Sequence, residues 1–406
     1  MRRLHRHQPV RSSLPLVLLA ALALSLIALA PRASAWTGFT AQVRGTEAVV
    51  PFDTATGELG TPIPVDHGPE RFVFSPNEET LWFVDGDSKE LVPIDLVTGE
   101  VGDPIDIPGQ ADRLAITPDG THAYVAAINS GSIYPVDLGS RQVGTPIDVP
   151  GQVWDIVIAP DGKNAWITTD GPAAVSRIDL ATGEITAKIP FISSTADMAI
   201  APDGSRVYAV LAGTNELAII DTETLESKSI GAGFQPLQIA LTPDGTRAYV
   251  TNFSFNRIAV IDLTTDTQLA PIAVDEYPRG VAVTPDGKTV WVSHFDGKSI
   301  KPIDVATGLA GDSVPTADKL RSIAIAPDHP PIAALSASNN QVEAGQPVDF
   351  DASATEPTDM PVASSYRWDF GDGSTEVTTS PKVSHAYTQD GTYEATVTVA
   401  DTVGCS

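Results

Sequence analysis

A proline, followed in most copies by Asp-Gly, recurs at Pro76, Pro118, Pro160, Pro202, Pro243, Pro285 and Pro327, with spacings of 42, 42, 42, 41, 42 and 42 residues. A fixed period between 20 and 50 residues marks a repeat array, and it constrains the fold more tightly than composition does. Each copy has a short apolar, strand-forming run before the turn, as in Val281-Ala282-Val283-Thr284, and another after it, as in Val290-Trp291-Val292-Ser293. Proline presets the first turn position, Asp suits the second and Gly takes the left-handed conformation, so each copy reads as a hairpin.

Two further signals repeat in register. An aromatic follows the proline by six residues at Trp82, Tyr124, Trp166, Tyr208, Tyr249 and Trp291, and an aspartate closes a third strand at Asp53, Asp95, Asp137, Asp179, Asp221, Asp262 and Asp304. The aromatics are expected to fill the space between units. The aspartates, often in Asp-x-x-Thr-Gly, are expected to bond the backbone of the turn that follows. Calcium binding is not their expected role, because one carboxylate per unit cannot supply a coordination shell. With a fourth strand per unit, as at Gly311 to Val314, the pattern predicts an all-β, seven-bladed β-propeller over residues 36–328. The array begins out of step, at Phe39 to Val43, and ends with Ser322 to Ala326. The two ends are therefore expected to complete one blade together, leaving no open edge. Thr40 is expected to stand where that blade lacks the periodic aromatic.

The run Tyr249-Val250-Thr251-Asn252, preceded by Thr242-Pro243-Asp244-Gly245, resembles the YVTN family of β-propeller repeats. The resemblance implies a protein similar to exported bacterial and archaeal surface-layer repeat proteins, and more distantly to the seven-bladed lactonases. After Asp328 the period stops at His329-Pro330-Pro331, a short stiff linker. Residues 329–406 alternate apolar and polar over short runs, which predicts a small β-sandwich. In that segment Trp368-Asp369-Phe370-Gly371-Asp372-Gly373, His385-Ala386-Tyr387 and Gly391-Thr392-Tyr393 resemble the PKD domain, an immunoglobulin-like module. Trp368 and Phe370 are expected in its core, and a spacer or contact role follows from the resemblance.

Residues 1–35 read as a secretory signal: Arg2, Arg3, Arg6 and Arg11, an apolar run from Leu14 to Ala30, then Ala33-Ser34-Ala35 with cleavage before Trp36. Removing five arginines of the 25 basic residues leaves 20 against 51 acidic ones, a net charge of −31. That balance repels nucleic acid and anionic membranes. The expected location is secreted or cell-surface, with no membrane insertion after cleavage and a monomeric state. The partner is expected to be an extracellular protein, glycan or small molecule. Cys405 is the only cysteine, so no disulfide framework is expected.

Signatures of chemistry are sparse. His67, His122, His294, His329 and His385 lack ligand spacing, and no nucleophile elbow, phosphate loop or cofactor motif is present, so no catalytic residue, cofactor or metal is assigned. Candidate ligand-binding positions are those at the start of each unit's inner strand, which vary while the framework repeats. Five residues before the proline these include Arg71, Arg113, Asp155 and Asp197, and six before it Trp154, Arg279 and Arg321. An aromatic among charges can stack on and orient a polar ligand. The expected function is non-enzymatic binding or cell-surface interaction. The alternative is a lactonase-like hydrolase with a divalent-metal site at the channel mouth.

Overall fold

The strand-turn-strand pattern appears throughout the computed structural model, which describes residues 16–19, 37–326 and 335–400, except 44, 46, 67, 78, 86–88, 97, 129, 172, 340 and 354–364. The chain divides into two compact units, Ser34–Asp328 and, together, Met1–Ala33 with His329–Ser406. The signal segment, the linker, His67, His329 and Cys405 lie outside the described residues, apart from Leu16–Leu19. That short strand pairs antiparallel with Gln341–Val342 and parallel with Thr392–Glu394.

In the larger unit the described residues form antiparallel sheets of four or five strands, a β-propeller-like arrangement. The sheet made by Thr37–Val43, Ala48–Asp53 and Ile63–Pro64 is called the first, and those with first strands Arg71–Phe74, Ala111–Ile116, Gln152–Ile158, Thr195–Ile200, Pro236–Leu241 and Pro278–Val283 the second to seventh. The late strand Lys319–Ile325 pairs antiparallel with Thr37–Val43, at Gly38↔Ile325 and Thr40↔Ile323. First strands of successive sheets lie side by side, and Lys319–Ile325 lies against both Pro278–Val283 and Arg71–Phe74.

The turns form as their residues dictate. Gly120 N donates to Thr117 O at 2.8 Å with Gly120 at φ +70, and Asp119 accepts from the Thr117 hydroxyl at 2.6 Å and the Thr121 amide at 3.0 Å. The strand-ending aspartates all cap turns: Asp53 accepts from Ala55 and Thr56, Asp179 from Ala181 and Thr182, and Asp221 from Glu223 and Thr224, at 2.7 to 3.0 Å. Asp95, Asp137, Asp262 and Asp304 do the same.

The periodic aromatics are core. Trp82, Tyr124, Trp166, Tyr208, Tyr249 and Trp291 are all buried, and Trp291 meets Phe52 of the neighbouring first sheet at 4.9 Å between ring centroids. The first sheet corrects the expectation for Thr40. Trp82, Tyr124, Tyr249 and Trp291 face Val73, Ala115, Ala240 and Ala282 across the ladder, and Phe39 occupies the equivalent place opposite Ala324. Phe39 is therefore the aromatic of this sheet and is buried. A slip of one residue exchanges the faces of a strand, which is why the neighbouring position misleads. Thr40 is buried too, with its hydroxyl donating to Ser322 O at 2.9 Å.

In the smaller unit Val348, Phe350, Trp368, Phe370 and Tyr387 form a closed aromatic core. The Trp368 indole donates to the Thr378 hydroxyl at 2.9 Å and the Tyr387 hydroxyl to Phe370 O at 3.0 Å, so their polar ends are paired. Gly371 and Gly373 sit at φ +76 and +91, as the tight turn requires.

Candidate functional site

The candidate positions stand on a repeated irregularity. Opposite a regular second strand, the first strand carries one extra residue: Asp112 between Ala111 and Arg113, Trp154 between Val153 and Asp155, and Arg279 between Pro278 and Gly280. The fifth and sixth sheets and the strand Lys319–Ile325 show the same shift, between Thr195 and Met198, Pro236 and Ile239, and Leu320 and Ile323. A bulge bends its strand and re-aims the side chains beside it. This explains why the positions five and six before each proline escape the alternation that fixes the rest of the sheet.

The bulges of the third to fifth sheets, with Arg71 at the start of the second sheet's first strand, bring charges together. Asp155 and Asp197 are each 1 % exposed, so their carboxylates need partners. Arg71 of the second sheet forms an ion pair with Asp197 of the fifth, which also accepts from Ile239 N at 2.9 Å. Arg113 of the third sheet pairs with its neighbour Asp112, and its Nε lies 3.8 Å from Asp155 of the fourth. Burial pushes the Asp155 carboxyl up to about 7; Arg71 and Arg113 oppose that rise, and Asp197, hydrogen-bonded to it, adds to it. A protonated Asp155 can donate to Asp197, so two buried acids coexist beside two guanidinium groups. Burial alone would lower the Arg71 pKa, but Asp197 and then Asp155 hold it above its ordinary value.

Trp154 is half-buried, not a free loop aromatic, and its indole N–H is buried without a hydrogen-bond partner. Arg113 Nε, Asp155 Oδ2 and Thr168 Oγ1 are likewise unpartnered, and Thr168 faces Asp155 across the ladder. The cluster can therefore offer hydrogen bonds of both senses to a small polar group. Where the fourth sheet's first strand begins, an open hollow of about 560 Å³ is lined by Ser130, Gly131, Val149, Gly151, Gln152, Asp170 and Gly171, with Gln152 two residues before Trp154 in the chain. Gly151 is obligatory there, because a Cβ would meet Asp170 O at 2.4 Å at a φ of +100.

The structure thus brings Arg71, Arg113, Asp155 and Asp197 together, with Trp154 on the same bulge as Asp155. Arg279 and Arg321 stand apart from them. Arg321 forms an ion pair with Glu70, and Arg279 lies over the Phe295 ring at 5.5 Å. His294 is fully buried and pushed down to about 4 by that burial, with Nδ1 3.2 Å from Ser299 O. Among the described residues no three His, Cys, Asp or Glu side chains converge as metal ligands.

Sequence reasoning missed a second feature at this end of the strands. Phe234 and Phe255 are 64 % and 49 % exposed, with ring centroids 5.3 Å apart. They lie in the connections that precede the first strand and follow the second in the sixth sheet. The signal was present in Phe253-Ser254-Phe255 directly after the repeat motif, outside the positions aligned on the prolines.

Residues 328–406 match the family model of the PKD domain. The chain is similar in fold to several solved structures. A protein of unknown function from Desulfotomaculum acetoxidans is 16% identical over 72% of this chain and 99% of that one, with a TM-score of 0.63. A Bacteroides fragilis protein assigned as a 6-phosphogluconolactonase is 18% identical over 72% and 98%, with a TM-score of 0.61. Hydrazine synthase from Kuenenia stuttgartiensis is 21% identical over 63% and 89%, with a TM-score of 0.56. At these identities the likeness concerns the fold alone.

Proposed function

We propose that the chain is an exported, non-enzymatic binding protein of the cell surface or surroundings. In this reading its larger unit is a seven-bladed propeller of the YVTN type, closed by Lys319–Ile325 pairing with Thr37–Val43, and its PKD domain is a spacer or contact module. The observation that carries the binding reading is the Trp154–Asp155 bulge. It sets a half-buried indole with a free N–H next in the chain to a buried acid that two guanidinium groups face, on a strand whose first residue, Gln152, lines an open hollow. Such an arrangement orients a polar ligand without supplying a nucleophile. The PKD domain and the basic-apolar-small N-terminal pattern support export, and no helix of the described residues is long and apolar enough to cross a membrane.

A second reading, hydrolysis of a sugar lactone, is favoured by the neighbours assigned as 6-phosphogluconolactonases and by an acid held near neutrality. Thermal-shift screening of glycans, peptides and envelope extracts, with and without divalent cations, separates the two. Stabilisation by an extract component, weakened in Trp154→Ala and unaffected by chelator, supports binding. Saturable stabilisation by a divalent cation together with lactone turnover supports the hydrolase instead.

A further inference from the structure

The geometry points to a shelf for neutral glycans, formed by Phe234 and Phe255 at the loop end of the sixth sheet and distinct from the charged cluster of the second to fifth sheets. It rests on the reading of the chain as a binding protein and specifies the class of ligand. Two large aromatic side chains standing mostly in water beside each other are uncommon without a partner. Their rings incline by 30° with centroids 5.3 Å apart, an offset stack that leaves apolar ring surface of both side chains facing water.

The loops beneath hold that face rigidly. Asn252 Nδ2 donates to Ala232 O at 2.8 Å, Phe253 N to Gln235 O at 3.1 Å, and Gln235 N to Asn215 Oδ1 at 2.8 Å. Behind it Phe253 packs on Tyr277 at 5.3 Å, and Tyr277 N donates to Asn256 Oδ1 at 3.1 Å. Gln235 and Tyr277 adopt φ +49 and +57, a left-handed conformation that non-glycine residues enter at a cost of ~1–3 kcal/mol. A bulky aromatic held there by a dedicated side-chain bond is a preorganised element, not a relaxed loop.

The chemistry of the shelf selects the ligand. On a chain of net charge −26, the connections Gly231-Ala232-Gly233-Phe234-Gln235 and Phe253-Ser254-Phe255-Asn256 carry no charged residue. Arg257 directly follows Asn256 and Glu216 stands opposite Gly231 in the ladder, one charge of each sign, and beyond them Arg279, Lys298, Lys301 and Lys319 are matched by Asp275, Glu276, Asp296 and Asp318, with Lys319 paired to Asp296 and Lys301 to Asp275. The surface thus offers aromatic faces with amide and hydroxyl side chains and no net charge. A pyranose ring has the matching chemistry: an apolar C–H face to lie on the rings and hydroxyls for Gln235, Ser254 and Asn256. Phe234 and Phe255, 64 % and 49 % exposed, stand out into water. Exposed aromatic surface suits a sugar ring laid on it better than a protein anchor, which requires a socket.

The test uses the full chain and a panel of neutral hexasaccharides (cello-, xylo-, manno-, laminari- and chitohexaose), with a hexagalacturonate and an apolar peptide as competitors, read by calorimetry. At least one neutral hexasaccharide is expected to bind with little dependence on salt. Phe234→Ala and Phe255→Ala should each weaken it at least tenfold while leaving the melting temperature unchanged, because both side chains are exposed. Leu309→Ala, at an equally exposed site on another loop, should not. Failure of every neutral saccharide to bind, tighter binding of the hexagalacturonate or peptide, or binding that survives both Phe variants would overturn the shelf. Loss on Trp154→Ala with retention in Phe234→Ala would overturn it too, while leaving the wider binding reading standing. Lactone turnover without saccharide binding would remove both.

Discussion

Replacing Asp155 by Asn and Asp197 by Asn should have opposite effects, although the two acids are buried equally at the bulges of adjacent sheets. In the folded chain the Asp155 carboxyl is pushed up to about 7 by burial, against an ordinary 3.8, with Arg71 and Arg113 opposing and Asp197 adding to the rise. Between these values the folded state holds a proton that the unfolded chain releases. Stability from this group is therefore full below about pH 4 and declines as pH rises towards 7. At about 1.36 kcal/mol per pKa unit, the loss is on the order of 4 kcal/mol. Asp155→Asn keeps a neutral donor and acceptor in place, so it should match the native chain near pH 4.5 and exceed it by that amount at pH 8.5. Asp197→Asn instead leaves the Arg71 guanidinium without its carboxylate and should cost ~3–5 kcal/mol at pH 8.5. Urea unfolding followed by tryptophan fluorescence from pH 4.5 to 8.5 reads both differences from the native chain. If Asp155→Asn showed a constant offset across that range, or destabilised the fold at pH 8.5 as Asp197→Asn does, the reading of Asp155 as an acid held protonated by burial would be refuted.

Two further outcomes follow from the packing and one from the N-terminal sequence. Leu320→Ala, at a fully buried position beside Phe52, Trp291 and Ile300, should destabilise the larger unit by ~2–5 kcal/mol, whereas Val377→Ala in the smaller unit, 65 % exposed, should change its melting by no more than ~0.5 kcal/mol. Trp166→Ala should cost ~3–5 kcal/mol, measured by chemical unfolding, because the ring is 1 % exposed between the fourth and fifth sheets. The exported protein should begin at Trp36 by intact mass, and a species retaining residues 1–35 would exclude cleavage there.

Much of the fold was legible because the scaffold repeats its chemistry. Five of the seven proline turns carry a left-handed glycine, each third strand needs a cap for the turn that follows, and the gaps between sheets need a ring. All three demands recur at one spacing. Where the first sheet is assembled from distant segments, the spacing no longer fixes the face of the strand. Thr40 and Phe39 are then separated only by which one opposes Ala324, a fact of pairing that the sequence period does not contain. In the smaller unit Trp368 and Phe370 alternate within one strand and its edge, so local alternation sufficed to place both in the core.

The site was legible as a set of positions but not as a set of contacts. Alignment on the prolines identified the residues that vary, and the bulges explain why these positions are released from the repeat. What alignment cannot supply is distance across the ring of first strands. It groups Arg113, Trp154, Asp155 and Asp197 by neighbouring sheets, while Arg71, three sheets away from Asp197, reaches it directly as an ion pair. Arg321, close to Arg71 in the aligned ring, is turned instead to Glu70. The difference is electrostatic. Two buried acids at adjacent bulges repel unless a proton or a cation stands between them, and Arg71 supplies the cation where Arg113 already answers to Asp112. A variable ring in such an array is therefore best read as a charge-balance problem over all its members at once, because the pairs that satisfy it are chosen by burial and need not be neighbours in the repeat.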